Sequence, residues 1–404
     1  MAKSKKEEKL DVNKIANNML DNLNKKFGKK VVYNLGAGED PAKINRWYST
    51  RSMLLDGIFS GKIIGGGGPG GRFVEIAGPE SIGKSHICYQ MARDIQEAGG
   101  IVLYIDTERA TDVRNLINLG VNINERFFYA KVDSVEGVFE TADEFLKELA
   151  PYWKKIPIGI FWDSVGGIGS RIERDMAFDD VQRPGLNAKQ ITFGFRKIIP
   201  AVDESEAIFV IVNQEYDILD AGRYDSKKTE TKGGKALKYF STIRLGLKKV
   251  TDVYPNDMDR NAARAAGIRP NGIRVRATTN KNKVAAPNRN VEIDIIFGVG
   301  LKEHISIWEM LVKAKELTVG NKIYSFSGGA WRSISIADAK TGEVSVEAKF
   351  RKSGTEEAIE KHREDLKPCV DYLMKDFMVM TEADKAHMKI EEEVPEEEVL
   401  EDIE

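Results

Sequence analysis

Apolar residues change their spacing several times along this chain. Between residues 11 and 27, Val12, Ile15, Ala16, Met19, Leu20, Leu23 and Phe27 recur at steps of three and four, the period of a helix with one apolar stripe. Such a stripe needs a packing partner, and the spacing leaves two open: a core of its own, or a neighbouring subunit. KKVVYNL then reads as a short strand, followed by the polar linker GAGEDPAK. From residue 72 the pattern becomes short runs that are apolar on both faces: RFVEIA, IVLYID, IGIFWDS and AIFVIVNQ, separated by helix-like segments. That alternation predicts an α/β fold with a mostly parallel, twisted sheet covered on two sides. STIRLGLKK, NGIRVRATT and NVEIDIIF instead alternate apolar with polar, as in Ile273, Val275 and Ala277. They predict an antiparallel extension of the sheet with one wet face.

After about residue 300 a smaller α+β unit is expected. ISIWEMLVKAKEL reads as a helix, and WRSISIADAKTGEVSVEAKF as a hairpin turning at Lys340-Thr341-Gly342. TEEAIEKHREDLKPCVDYLMKDF reads as a helix that Pro368 breaks or kinks.

Charge sharpens the picture. A chain of 404 residues suits two or three domains, and its net charge of −2 names no partner. The distribution does. Residues 1–30 hold nine lysines against four acids, and residues 220–290 hold 17 Lys and Arg against six acids. Residues 391–404 hold nine acids and no base, which predicts a solvated tail. Cys88 and Cys369 are the only cysteines, too few for a disulfide framework or zinc spacing, so a reducing cytoplasm is expected. No run approaches 18 apolar residues, so neither a signal peptide nor a membrane span is expected.

Directly after RFVEIA stands GPESIGKS: Gly78, Pro79, Glu80, Ser81, Ile82, Gly83, Lys84 and Ser85. The pattern G-x-x-x-x-G-K-S between a strand and a helix is the phosphate-binding loop. Its glycines let backbone N–H groups converge on phosphate oxygens. Lys84 is expected to reach the β- and γ-phosphates, and the Ser85 hydroxyl to hold Mg²⁺. The following helix aims its positive end at the same anion. A Gly-rich turn without a ligand is the plain alternative.

Ligands of such sheets lie beyond the carboxyl ends of the strands, so polar residues ending the apolar runs are the candidates. IVLYIDTE ends in Asp106 and Glu108; Glu108 is favoured as the group that orients or activates the attacking water, against a structural strand-end acid. IGIFWDS ends in Asp163, expected to act on Mg²⁺ through water. AIFVIVNQ ends in Asn213 and Gln214, amides able to register a γ-phosphate. A long basic, Gly-containing stretch follows, with Gly222, Arg223, Lys227, Lys228, Lys232, Gly233, Gly234 and Lys235. Such a loop is either solvated surface or a nucleotide-gated contact to nucleic acid. RIERDMAFDDVQRPG is a second loop, and the helix after it carries Lys189, Thr192 and Arg196 on one face. In KNKVAAP, Lys281 and Lys283 stand near a strand end, and two such lysines repel unless an anion is near.

The pieces KKFGKKVVYNLG, STRSMLLDGIFSG, GRFVEIAGPESIGKS, IDTERATD, FWDSVGGI, IVNQ, GGKALKYFSTIRL and KNKVAAP occur in the order they have in one family. From about residue 14 to 300 the chain resembles RecA, the bacterial strand-exchange recombinase, and a phage-encoded form is left open. The resemblance implies a RecA-like core and an ATPase that polymerises on single-stranded DNA, pairs it with homologous duplex and uses ATP and Mg²⁺. It implies a polymerisation arm (1–45), an ATPase core with two DNA-binding loops (46–300), a small C-terminal domain (301–390) and an acidic tail (391–404). By matching positions, Glu108 activates water, Gln214 senses the γ-phosphate, and Lys281 and Lys283 reach the neighbouring subunit's ATP. Lys189, Thr192, Arg196, Gly233 and Gly234 fall at DNA-contacting positions, and Asp112 matches an adenine-edge contact; Arg223 and Lys232 are DNA-binding candidates from the basic loop itself. The N-terminal helix and VVY match the element that docks on the next protomer. The C-terminal domain and tail match parts that handle duplex DNA and restrain it.

The chain also departs from the family pattern. Asn115 stands where the family has an adenine-stacking Tyr, and Pro184-Gly185 where it has Met-Gly. Both loops are longer, the C-terminal hairpin is enlarged, and GGGGPG before Gly71 is unusually rich in glycine. Two other functions share such a core: a ring-forming helicase or translocase, and a regulatory ATPase indifferent to DNA.

Overall fold

A computed structural model describes residues 12–28, 30–176, 186–217, 229–231, 234–255 and 258–377. The chain divides into two compact units, residues 1–45 and 46–404. In the first, helix α1 (Val12–Phe27) forms over the expected stripe, but the stripe is not covered. Val12, Ile15, Met19 and Phe27 are all exposed. The strand expected in KKVVYNL does not form among its described residues. A strand needs a neighbour to take its backbone groups, and here Asn24 takes them instead. Its Oδ1 accepts from Val31 N at 2.8 Å and Val32 N at 2.9 Å, and its Nδ2 donates to the Val32 carbonyl at 3.0 Å.

The second unit opens with β1 (Trp47–Tyr48), α2 (Met53–Ser60) and β2 (Gly68–Pro69), the two strands pairing antiparallel. The glycine run has a local cause. Gly67 has φ +124°, and a Cβ there would come within 2.2 Å of the Tyr48 carbonyl oxygen, so no side chain fits where the chain folds back.

The main sheet then assembles in alternation. It runs through β3 (Arg72–Gly78), α3 (Lys84–Glu97), β4 (Ile101–Asp106), α4 (Val113–Asn118), β5 (Phe127–Lys131) and α5 (Val135–Glu148). It continues through β6 (Ile158–Asp163), α6 (Arg171–Asp175), α7 (Leu186–Ser205), β7 (Ile208–Asp217), β8 (Thr229–Thr231) and α8 (Gly234–Phe240). It closes with β9 (Ile243–Val253), α9 (Arg260–Ala265), β10 (Gly272–Asn282), β11 (Asn290–Ile296) and β12 (Gly300–Lys302). The strand order is β12–β11–β10–β9–β3–β7–β6–β4–β5, with β8 paired to β7. Pairs from β9 to β5 are parallel, and those from β9 to β12 antiparallel, as the two hydrophobic patterns predict. The apolar runs are buried on both faces. Val74, Ile76, Tyr104, Phe161 and Val210 pack with the α3 side; Phe73, Ile105, Ile160, Trp162 and Ile211 pack with Val138 of α5 and Phe195 of α7. Strand β5 (FFYAK), which the sequence reading did not single out, lies at an edge of the sheet with Phe128 and Tyr129 exposed.

The C-terminal part is built from α10 (His304–Ala314), β13 (Glu316–Val319), β14 (Lys322–Ser327), β15 (Trp331–Asp338), β16 (Val344–Arg351), α11 (Thr355–Lys361) and α12 (Arg363–Phe377). The expected hairpin, β15–β16, is half of a four-stranded antiparallel sheet, β13–β14–β15–β16. The helix expected through KEL stops at Ala314, and Lys315 takes a positive φ that turns the chain into β13. Pro368 does not end its helix, since α12 runs through it; the break falls at His362, between α11 and α12. No helix among the described residues is long and apolar enough to cross a membrane.

One buried carboxylate ties this part to the core. Glu303 accepts from Ser52 Oγ at 2.5 Å and from the amides of Met53 and Leu54 at 2.8 and 3.0 Å, capping α2. Arg363 Nη2 of α12 donates to the same carboxylate at 2.8 Å. Removing one partner strands a buried charge, so Arg363→Met is expected to cost about 1–3 kcal/mol, discounted for the three remaining donors. Urea unfolding checks this, and an unchanged midpoint would show the pair to be neutral.

Candidate nucleotide-binding and catalytic site

Strand register sets the site. Gly78 at the end of β3 lies opposite Gln214 of β7, and Asp106 of β4 opposite Asp163 of β6. The turn after β3 carries Pro79, Glu80 and Ser81 exposed and Ile82 buried, then enters α3 at Lys84 with Gly83 as its N-cap. Gly83 has φ +90°, and a Cβ there would meet Ile295 Cδ1 at 2.2 Å. The backbone is thus held open toward the ligand side by a residue that cannot carry a side chain. The first amides of α3 face a cleft of about 520 Å³ whose walls include Glu80, Gly83, Lys84, Ser85, Glu108, Asp112, Asn115, Asp163 and Gln214. The sequence-selected nucleotide residues are therefore gathered around one space, with Gly78 and Pro79 just behind it.

The charged groups Lys84, Asp163 and Glu108 are each held by neutral polar partners. Lys84 Nζ donates to the carbonyls of Gly78 at 2.9 Å and Pro79 at 2.6 Å. Burial lowers its pKa, against the pull of Asp163 and Glu108. Asp163 is buried, and burial raises its pKa; hydrogen bonds from Ser85 and Tyr104 oppose the rise. Ser85 Oγ and the Tyr104 hydroxyl both donate to Asp163 Oδ2 at 2.6 Å. Glu108 Oε1 accepts from Gln214 Nε2 at 2.8 Å and from Ser164 Oγ.

The two carboxylates of IDTE separate clearly by environment. Asp106 accepts from the amides of Arg109 and Thr111 and from the Tyr129 hydroxyl. Burial pushes its pKa up, but those hydrogen bonds outweigh it and the net shift is downward. Asp106 therefore builds the turn, while Glu108 is exposed on the cleft wall beside Gln214.

The donor set fits a nucleoside triphosphate with Mg²⁺. The loop backbone and Lys84 suit phosphates, Ser85 Oγ offers one hard oxygen ligand, and the Asp163 carboxylate beside it can accept from metal-bound water.

Other candidates lie apart. Lys189 and Arg196 are exposed on α7 with Thr192 between them, its Oγ1 turned back to the Ala188 carbonyl at 2.7 Å. Gly234 opens α8. Arg223, Lys232 and Gly233, like Pro184-Gly185 and the acidic tail, lie outside the described residues. Lys281 and Lys283 stand at the far end of β10 and line no part of the cleft. Asp112 caps α4 through Arg114 N and forms an ion pair with the Arg114 side chain.

Sequence reasoning missed Tyr104, the one hydroxyl inside the IVLYID run, which was its available signal. It also missed Tyr89, Ile295 and Phe297 as cleft walls. The last two come from the antiparallel extension, and nothing local marks them.

The family model for the RecA N-terminal domain matches residues 14–302. The chain belongs to the RecA family. Protein RecA of Delftia acidovorans is 32% identical over 309 residues, covering 76% of this chain and 77% of that protein. Protein RecA of Picosynechococcus is 30% identical over 319 residues, 79% and 84% of the two chains. Protein RecA of Campylobacter jejuni is 32% identical over 327 residues, 80% and 84%. The match to the RecA family model ends at residue 302, so α10 and the four-stranded sheet lie beyond it.

Substituting Gly83→Val should abolish ATP binding, because the new side chain meets Ile295 in a positive-φ backbone. Equilibrium binding of a fluorescent ATP analogue checks this; wild-type affinity would show that the loop tolerates the side chain.

Proposed function

We propose that this RecA-family protein is an ATP-driven homologous recombinase. It forms a helical filament on single-stranded DNA, pairs that strand with homologous duplex, and hydrolyses ATP between subunits during strand exchange. The observation that carries this reading is the 2.8 Å hydrogen bond between Glu108 and Gln214. It joins a residue suited to activating water to one in β7, the strand that the basic segment follows in sequence.

The chemistry follows from the chain's own groups. The loop amides and Lys84 bind the phosphate chain and orient its γ-phosphorus. Glu108 takes a proton from the attacking water as its oxygen bonds to that phosphorus and the bond to the ADP oxygen breaks. Bound Mg²⁺, held by Ser85 and through water by Asp163, would neutralise phosphate charge. Gln214 donates to Glu108, and a γ-phosphate oxygen would compete for that amide. The loop after β7 is thereby coupled to nucleotide occupancy.

Lys189 and Arg196, exposed on α7, and the basic segment 220–240 supply cations for a DNA backbone. The exposed apolar residues Val12, Ile15, Met19 and Phe27 of α1 support self-association, since a second copy would cover them. Lys281 and Lys283, outside their own cleft, are placed in this reading against the ATP of a neighbouring subunit.

Single-stranded DNA should raise the steady-state rate of ATP hydrolysis, measured by phosphate release with and without oligo(dT). A rate indifferent to DNA would overturn the recombinase reading in favour of a DNA-independent ATPase. Lys283→Ala is expected to lower DNA-stimulated hydrolysis about 10³-fold, as for loss of a cation supplied in trans. Dilute monomers should bind ATP as before, and a parallel loss of monomer binding would place Lys283 in its own subunit's site.

A further inference from the structure

Between the cleft and the antiparallel strands lies a row of polar side chains that the mechanism above does not use. Glu75, in the middle of β3, is fully buried. A carboxylate removed from water needs charge and hydrogen-bond partners, and it has both. Asn213 Nδ2 donates to Oε1 at 2.9 Å, and Arg244 Nε donates to Oε2. Asn213 immediately precedes Gln214 on β7. Arg244 on β9 pairs in register with Glu75 on one side and with Lys281 of β10 on the other. Lys281 Nζ donates to the carbonyls of Lys238 at 2.6 Å and Tyr239 at 3.1 Å, closing the last turn of α8. That helix leaves the basic loop.

Lys281 is weakly satisfied as a cation. Burial, then the nearby charges of Lys283 and Arg244, push its pKa down to about 8. Carbonyl dipoles hold its ammonium, with the Glu75 charge one residue pair away. An anion brought to Lys281 therefore competes directly with the end of α8.

We propose that Glu75 and Arg244 are positioning residues that couple nucleotide occupancy to nucleic-acid affinity. They link the Asn213–Gln214 end of β7, through one buried carboxylate, to the lysine that holds α8. The γ-phosphate in a subunit's own cleft acts on the row at Gln214, and the phosphate of a neighbouring subunit acts on it at Lys281. Both influences reach the helix at the exit of the basic loop. This rests on the recombinase reading, in which that loop contacts DNA.

The test measures affinity of the full chain for labelled oligo(dT), with and without a non-hydrolysable ATP analogue, for wild type and three variants. Glu75→Gln removes the charge and keeps the shape. Glu75→Gln with Arg244→Met removes both charges, so that no unpaired buried ion threatens the fold. Arg244→Lys keeps the pair. In wild type the analogue should tighten DNA binding. In the first two variants the ratio of the two affinities should fall about tenfold, within the usual range of coupling between sites. Affinity for the analogue and for DNA alone should stay unchanged, and Arg244→Lys should keep most of the ratio. A wild-type ratio in the folded Glu75→Gln and double variants overturns the proposal. So does a loss seen only together with unfolding or with loss of analogue binding, which assigns Glu75 to stability alone. If wild type shows no tightening at all, the recombinase reading falls first and this coupling with it.

Discussion

Parallel pairing of β3, β7, β6 and β4 is the constraint from which the site follows. Register alone sets Gly78 beside Gln214 and Asp106 beside Asp163. Because these strands are buried on both faces, a shift of one residue would move large side chains such as Trp162 and Phe161 to the wrong core. The cores therefore fix the register, and the register fixes which polar groups meet at the strand ends. No separate scaffold is needed for the catalytic groups.

At that edge the polar groups are bonded to one another and to nearby backbone. Lys84 sits on carbonyls of its own loop, Ser85 on Asp163, and Gln214 on Glu108. Each of these bonds stands where a phosphate, metal or water would bind in the proposed mechanism. Ligand binding is then an exchange of partners rather than the filling of empty valences, and an exchange can be transmitted. Glu108 and Gln214 release one another, and the strand carrying Gln214 continues into the basic segment. The row Asn213–Glu75–Arg244–Lys281 gives that change a second route, across the sheet instead of along one strand.

The parts beyond the sheet differ in how they satisfy their surfaces. The C-terminal sheet and helices bury Trp308, Tyr324, Ile334 and Leu366 in a core continuous with that of the α3 side. Glu303 joins them to α2 through Arg363. In unit 1, α1 keeps Val12, Ile15, Met19 and Phe27 exposed, and Asn24 takes the backbone groups of Val31 and Val32. The question left open by periodicity alone, whether this helix packs on a core of its own, is thus answered within the unit by the absence of any buried residue on α1.

Much of this was legible in the sequence because the signals are local. A strand buried on both faces must be an apolar run, so the parallel sheet could be read directly, and the G-x-x-x-x-G-K-S pattern of Gly78, Gly83, Lys84 and Ser85 located the candidate nucleotide site. Strand β5 was not singled out although FFYA is apolar; it is short and lies at the sheet's edge, where Phe128 and Tyr129 face water. The ends of α10 and α11 misread for another local reason: the chain leaves the helix at Lys315 and at His362, while Pro368, the obvious breaker, is tolerated inside α12. What only the tertiary structure decided is which polar residues share a neighbourhood. Glu75 inside RFVEIA, Tyr104 inside IVLYID and Arg244 inside STIRLGLKK look like strand residues among others. Their roles depend on distances set by strand order, and strand order arises from packing between segments more than a hundred residues apart, which no local pattern encodes.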